Sequence, residues 1–404
     1  MGASSHRDEK VHQARDAKAR SVAIVTKAVP HYRVPFLNGL EARLRTGSTA
    51  LTVFADYALP HFHIRDGLDD VNCAVRVTNL YLGPPHRAET SRTRLPYWQP
   101  IFGRLLGFDL VVVDQTSSAL LNHLLFVRRR LLSRSPKIGL WGHGANMQMQ
   151  ETGLRRWIKA TESRYADHWF AYTRITFDVL RHLGVQEDII TIVNNSVDTS
   201  QVRAARALDA TARMGKRSEL GLGSSPLAVL CARLSKDRGL PFVVEACRKA
   251  RERVGDIKLL VIGDGDEGPW LRAQAEKEGW IRPLGALYGA EKAEILALCD
   301  VFLLPSMVGL SILDSFAAGL PLLSARFANH GPEIAYLNDG VNGLLTDARL
   351  EAYSEAIVRV LSDRTYREEL SRGARQSAET YSLDAMIENV ARGIERTLES
   401  RTMQ

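Results

Sequence analysis

VFLLPSMVGLSILDSFAAGLPLL, residues 301–323, carries a single ionisable side chain, Asp314. It is long enough to cross a bilayer, which takes about 20 apolar residues. It also contains Pro305, Gly309, Gly319 and Pro321. A proline inside a helix costs about 3 kcal/mol, and an aspartate at mid-bilayer costs about as much again. The punctuation fits a different chain path. VFLL reads as a strand that Pro305-Ser306 ends. Gly309 permits a tight turn, and Ser311 opens a helix with Ile312, Leu313 and Phe316 turned inward. Gly319 closes that helix, Pro321 blocks its continuation, and PLLS is the next strand. The first turn of such a helix presents unpaired backbone N–H groups and partial positive charge, a setting suited to phosphate. The amides of Gly309 and Leu310 belong to the same turn. Asp314, one turn in, is placed to accept hydrogen bonds from paired hydroxyls such as those of a ribose.

Working outward, CARLSKDRGL (231–240) follows the strand LAVLC and carries Arg233, Lys236 and Arg238. Guanidinium groups on such a turn grip a diphosphate by charge-assisted, bidentate bonds. VIGDGDE (261–267) is a strand running into a glycine turn that begins at Gly263. WIRPLG (280–285), with Arg282, ends another strand and is placed to frame a base. HGPEIAYLNDGVNG (330–343) puts Glu333 at the start of a helix. The Asp264-Gly265-Asp266 triplet matches a metal-binding pattern, but it sits in a strand-end turn without further ligands, and no metal is expected.

Short β-branched runs, most of them apolar on both faces, recur along the chain with longer helical stretches between them. In the first half they are 21–26, 50–55, 74–79, 109–114, 137–141, 168–172 and 189–193; in the second, 227–231, 257–263, 280–285, 301–304, 321–324 and 343–346. Strands of this kind belong to parallel sheets covered on both sides. LLNHLLFVRRRLL (120–132) reads as a connecting helix with a basic end. A polar segment after residue 198, ending in Gly and Ser, separates the two series. The fold class expected is α/β, with two Rossmann-like α/β/α domains facing a central cleft, where ligands meet the carboxyl ends of strands. The expected divisions are a flexible tail (1–20), a first domain (21–205), a second domain (206–382) and a terminal helical segment (383–404).

The ordered set RL-x3-RG, VIGDGDE, RPLG, PS…GLSILDSFAAGLP and GPEI…DG-x-NG resembles the second domain of GT-B glycosyltransferases, and among them the retaining glycosyltransferase family 4. In the first half, YRVPFLNGLEARL (32–44), WGHG (141–144) and VNNSVDT (193–199) resemble further segments of that family. YSLDAMIENVARGIERTL resembles its last helix, which crosses back to the first domain. The resemblance covers about residues 21–398. It implies a donor that is a nucleotide diphosphate sugar, UDP- or GDP-linked. Arg233 and Arg238 would neutralise the diphosphate; the family usually has lysine at the second position. Asp314 would bind the ribose, Glu333 would lie in a loop near the donor, and His143 would face the donor sugar or acceptor. Donor contacts are also expected from Gly309, Leu310, Ser311, Arg282 and Gly263, and acceptor contacts from Arg33, Tyr32 and Asn195. No cofactor beyond the donor is implied. Two departures stand out. The first acid of the family's E-x7-E motif is missing, with Ser306 eight residues before Asp314 in a shortened loop. The loop after the first strand reads KAVPHYR and lacks the usual glycines.

The first acid normally meets the sugar hydroxyls. Two alternatives therefore stand beside retaining transfer: a nucleotide-sugar epimerase of the same fold, and a nucleotide-sugar-binding protein without turnover. For single residues too, two roles remain. His143 binds sugar or is capped by its own loop, and Arg33 meets an acceptor phosphate or solvent. PYWQPIFGRLLGF (96–108), aromatic and basic, touches a membrane or is a helix packing on the sheet.

The chain has 404 residues, 45% of them hydrophobic and 25% charged, a globular composition. Cys73, Cys231, Cys247 and Cys299 form no CxxC pair and read as buried thiols of a reducing compartment. The first twenty residues lack the apolar centre of a secretory signal. The net charge of +7 is uneven: residues 1–200 carry 26 Lys/Arg against 18 Asp/Glu, so the excess lies in the first half. The expected partners are a nucleotide sugar, a saccharide or lipid-linked acceptor and an anionic membrane surface; no nucleic-acid module is present. The expected location is cytoplasmic, against the inner face of the membrane.

Overall fold

The computed structural model describes residues 20–57, 65–83, 95–132, 136–144, 153 and 161–400. All but the last residue of the expected tail lie outside these, and Arg20 already opens the first strand. The strands are β1 (Arg20–Ala28), β2 (Thr49–Asp56), β3 (Ala74–Arg76), β4 (Leu80–Tyr81), β5 (Tyr97–Trp98), β6 (Leu110–Asp114), β7 (Lys137–Gly142), β8 (His168–Ala171), β9 (Ile190–Ile192), β10 (Leu227–Cys231), β11 (Lys258–Ile262), β12 (Ile281–Gly285), β13 (Val301–Leu303), β14 (Leu322–Ala325) and β15 (Gly343–Thr346).

Seven strands form the first sheet in the order β3-β2-β1-β6-β7-β8-β9, and six form the second in the order β12-β11-β10-β13-β14-β15. Within both sheets all pairings are parallel. Each order reverses once, between β1 and β6 and between β10 and β13, and a crevice opens at such a reversal beyond the strand ends. The two faces of the first sheet bury different residues. Val22 and Ile24 point to one core, and Ala23 and Val25 to the other. That is why the run SVAIVT is apolar at every other position on both phases.

The quoted stretch folds as strand β13, a turn and the helix Ser311–Ala318, followed by β14. Gly309 has φ +50° and Gly319 φ +70°, left-handed conformations that glycine adopts without a Cβ clash. Ile312 and Phe316 are wholly buried. No helix among the described residues is long and apolar enough to cross a membrane.

Three local expectations need correction. Ser200–Ala205, assigned by sequence to the first domain, packs on the helices Gly289–Leu298 and Ser311–Ala318, and Val202 joins the second-domain core. The run 74–79 pairs as a strand only through Arg76, because Asn79 turns to bond Asp56 and the Lys27 carbonyl. PYWQPIFGRLLGF is helical only at Phe102–Leu105; Tyr97–Trp98 instead pairs antiparallel with Leu80–Tyr81. Its Tyr97, Ile101 and Leu105 are buried in the core, so the stretch packs on the sheet.

The helix Leu383–Glu399 lies on the first domain. Met386, Val390, Ala391 and Ile394 enter its core, and Arg43 bonds both Glu388 and Glu395 at 2.8 and 2.9 Å. The chain thus crosses between domains twice. The domains also bond directly: Asn195 Nδ2 donates to Glu333 Oε1 at 2.9 Å, and Tyr336 Oη donates to the Asn195 backbone carbonyl at 3.1 Å.

Candidate active site

The larger cavity, about 630 Å³, lies beyond the carboxyl ends of the second sheet. Cys231, Ala232 and Arg233 enter it from the end of β10, Ile262 to Asp266 from β11, Ala286 to Tyr288 from the segment after β12, Lys292 from the next helix, and Ser311 and Asp314 from the helix after β13. The β11 turn approaches its neighbour so closely that a Cβ at Gly263 would collide with the Ala232 carbonyl, and its φ of +145° also excludes most side chains. Arg233 is exposed at the mouth. Asp314 sits deeper, and Lys292 Nζ lies 2.9 Å from each of its carboxylate oxygens. Burial pulls the Lys292 ammonium down, but the Asp314 carboxylate outweighs it, and the ammonium is held above its ordinary range.

Of the residues expected at the donor, Arg233, Asp314, Ser311 and Gly263 converge on this cavity. Others do not line it. Arg282 pairs in register with Leu260, near the start of β12, and is exposed to solvent on an edge strand. The segment Ala286–Tyr288, past the strand end, takes the place that Arg282 was expected to hold. Gly309 and Leu310 also lie outside the lining. Arg238 turns into the shortened loop, where its guanidinium donates to the Met307 carbonyl, and burial lowers its pKa. The missing acid's position is filled structurally: Ser306 Oγ donates to the Asp237 carbonyl at 2.6 Å, tying the loop to the Arg238 turn.

Glu333 is buried and bonded to Asn195, so these two residues join the domains; the second was expected to face the acceptor. A further cavity, about 270 Å³, opens at the β1/β6 reversal of the first domain. Arg33, Tyr32 and His143 line it with Thr26, Asp114 and Tyr172. The Arg33 guanidinium is ringed by Tyr32, Phe36 and Tyr172 at 5.8 to 6.0 Å, and its Nη1 is buried without a hydrogen-bond partner. The His143 ring packs 4.2 Å from that of Tyr172. Burial raises the Asp114 carboxyl above its ordinary range, against the hydrogen bond from Thr26 (2.6 Å) and the Arg33 charge.

Sequence reasoning missed Lys292, Tyr288 and Asp114. Asp114 had a legible signal, a carboxylate closing a fully apolar strand. Lys292 lies in a helix of mixed polarity, and only the packing of that helix against Ser311–Ala318 brings it to Asp314.

Residues 225–363 match the family model described as Glycosyl transferases group 1. The second domain is thus similar in sequence to group 1 glycosyltransferases. Its match spans β10 to the helix Leu350–Ser362 and so contains the whole lining of the larger cavity. Among curated relatives, the D-inositol 3-phosphate glycosyltransferase of Xylanimonas cellulosilytica is 29% identical over 236 residues, 54% of this chain and 55% of that protein. The phosphatidyl-myo-inositol mannosyltransferase of Mycobacterium tuberculosis is 26% identical over 211 residues, 50% and 52% of the two chains. The chain thus matches about half the length of these relatives. Solved structures extend the likeness to both domains. Anabaena HepE, in complex with UDP, superposes with a TM-score of 0.68 at 15% identity, covering 93% of this chain and all of that one. A Rickettsia africae glycosyltransferase gives 0.68 at 14%, covering 95% and 100%. The matched segment therefore sits within a two-domain GT-B fold.

Proposed function

We propose that the protein transfers a sugar from a nucleotide diphosphate sugar, UDP- or GDP-linked, to a hydroxyl of a saccharide or lipid-linked acceptor, with retention at the anomeric carbon. The observation that carries this is the larger cavity: a cation and a carboxylate, Arg233 and Asp314, face one space at the strand ends of a glycosyltransferase domain. The relatives' names point the same way, since both are sugar transferases and one acts on a phosphatidyl-inositol.

In this scheme Asp314 accepts from the ribose hydroxyls and Arg233 meets the diphosphate. The N-terminal amides of the helix Ser311–Ala318 add partial positive charge. The bond between the anomeric carbon and the phosphate oxygen breaks, and negative charge grows on the diphosphate. Preorganised positive groups stabilise that charge best in a cleft that excludes water. The acceptor hydroxyl attacks the same face, the new C–O bond forms, and its proton passes to the departing phosphate oxygen. The acceptor would occupy the first-domain cavity near Arg33, Tyr32 and His143. Arg238 would act less directly, holding the loop between β13 and the phosphate-binding helix.

One structural observation keeps epimerisation as a second reading. A putative UDP-N-acetylglucosamine 2-epimerase from Listeria monocytogenes shares the fold, with a TM-score of 0.59 at 15% identity. A thermal-shift screen against UDP, GDP and their sugars identifies the donor by linkage, because a ligand held only by the native state raises Tm. The donor is then incubated with and without an acceptor panel. Transfer predicts an α- or β-linked product matching the donor's anomer and formed only with acceptor; epimerised donor without acceptor identifies the second reaction. Stabilisation by no nucleotide would contradict both.

A further inference from the structure

One charged group in the larger cavity has no part in the transfer scheme. Lys292, on the helix Gly289–Leu298, lines the cavity and extends its ammonium to Asp314 on the helix Ser311–Ala318. Nζ donates to both carboxylate oxygens at 2.9 Å, and the two side chains are only 24% and 15% exposed. Burial opposes the charge on Lys292, but the carboxylate outweighs it. The group is therefore an ammonium, with three N–H donors. Asp314 takes two of them. No other acceptor among the described residues bonds Nζ, so the third is left for whatever fills the cavity.

Stability does not account for a lysine here. Taking an ammonium and a carboxylate out of water offsets much of their attraction, and apolar side chains in place of such a pair are often as stable. The helix already packs through Ala293, Leu296 and Leu298, all buried. Position tells more. The Lys292 amide donates to the Tyr288 carbonyl at 3.4 Å, so the two residues stand one turn apart. Tyr288 lines the cavity and is 78% exposed. It closes the segment Ala286–Tyr288, which takes the place expected for the base. Lys292 thus links that segment to Asp314, the carboxylate assigned to the ribose. In a ribonucleotide the 2′-hydroxyl stands beside the carbon that bears the base. Its oxygen can donate one hydrogen bond and accept another. We infer that Lys292 binds the donor's ribose together with Asp314: the carboxylate accepts from the 2′- and 3′-hydroxyls, and Lys292 donates its third N–H to the 2′-oxygen. A 2′-deoxyribose would leave that N–H unpaired in a buried site, which makes the cavity selective for ribonucleoside diphosphates. This rests on the reading of the larger cavity as a nucleotide site; it does not depend on transfer.

Titration calorimetry tests it with UDP or GDP, whichever the wild type binds, and with the 2′-deoxy and 3′-deoxy forms of that nucleotide. The proteins compared are the wild type and Lys292→Met, which keeps the apolar stem and removes the donor. Lys292→Met should bind the ribonucleotide about tenfold more weakly than the wild type does, and the 3′-deoxy form likewise. It should bind the 2′-deoxy form about as tightly as the wild type, because the oxygen that the lysine meets is already gone. A lysine that serves only to hold Asp314 in place would weaken all three ligands by one factor. That result, or equal affinity of both proteins for the ribonucleotide, overturns the inference. If the unpaired carboxylate unfolds Lys292→Met, the same comparison is made between Asp314→Asn and Asp314→Asn/Lys292→Met, where no carboxylate remains. The second change should again weaken the ribonucleotide about tenfold and spare the 2′-deoxy form. Wild type that binds neither UDP nor GDP removes the nucleotide reading and this inference with it. The predicted pattern of affinities in a protein without turnover upholds the inference and counts against transfer alone.

Discussion

Asp314 and its partner Lys292 mark the limit of what single residues disclose. The carboxylate was legible because it is the only ionisable group in 301–323 and lies one turn into a helix behind a glycine turn. The ammonium that holds it was not, because it comes from another helix. A carboxylate has lone pairs beyond the two that Lys292 occupies, so ribose hydroxyls can share it. Asp314→Asn should weaken UDP or GDP binding by about tenfold or more, since hydrogen bonds to charged groups contribute about 1.5–3 kcal/mol. Titration calorimetry measures this, and undiminished affinity in a folded variant removes Asp314 from the ribose. Arg238 teaches the converse. Its charge and its place in RL-x3-RG suggested a phosphate contact, but shortening of the facing loop gives its guanidinium backbone carbonyls instead. Sequence spacing alone does not reveal which partner lies nearer.

At the scale of elements, the apolar runs of both halves were legible as strands because sheets covered on both faces tolerate few polar positions. The antiparallel pair of β4 and β5 was not, since two-residue strands carry no periodicity. The helix Leu383–Glu399 shows how closely the final element is fitted. Gly393 lies against β8 and β9, where an added Cβ would stand 2.7 Å from the Phe170 ring and 3.0 Å from Thr191 Oγ1. Gly393→Val should therefore destabilise the protein by about 1–3 kcal/mol through overpacking, read as a lower midpoint in urea unfolding. At the same contact, burial depresses the His168 imidazole to about 4 from 6.5, and its Nε2 lies 2.8 Å from Thr191 Oγ1. The unfolded chain takes up this proton first as pH falls, so His168 favours the native state above pH 6.5 and its contribution declines from there toward 4. Thermal unfolding across that range should show a steeper fall in Tm for the wild type than for His168→Gln. Parallel curves would show that His168 is not the group responsible.

For the whole molecule, two tandem parallel sheets predicted two domains and a cleft, and both sheets place a cavity at their reversal of strand order. What tandem series of strands do not reveal is how the domains clasp. Asn195 and Glu333, read separately as acceptor and donor residues, meet each other across the junction. Ser200–Ala205 belongs by packing to the domain that follows it. Such long-range contacts depend on the final docking of domains and leave little local trace in the sequence. The sequence match to group 1 glycosyltransferases and the GT-B fold frame the central claim, that the cavity of Arg233 and Asp314 holds a nucleotide sugar whose diphosphate leaves during transfer. The most direct measurement is acceptor-dependent release of nucleoside diphosphate from the donor found in the thermal-shift screen, by wild type and by Arg233→Ala. The account predicts turnover by the wild type and a loss of about tenfold or more in kcat/KM in the variant, at least 1.4 kcal/mol of transition-state stabilisation. An Arg233→Ala protein that folds and turns over at the wild-type kcat/KM would contradict it.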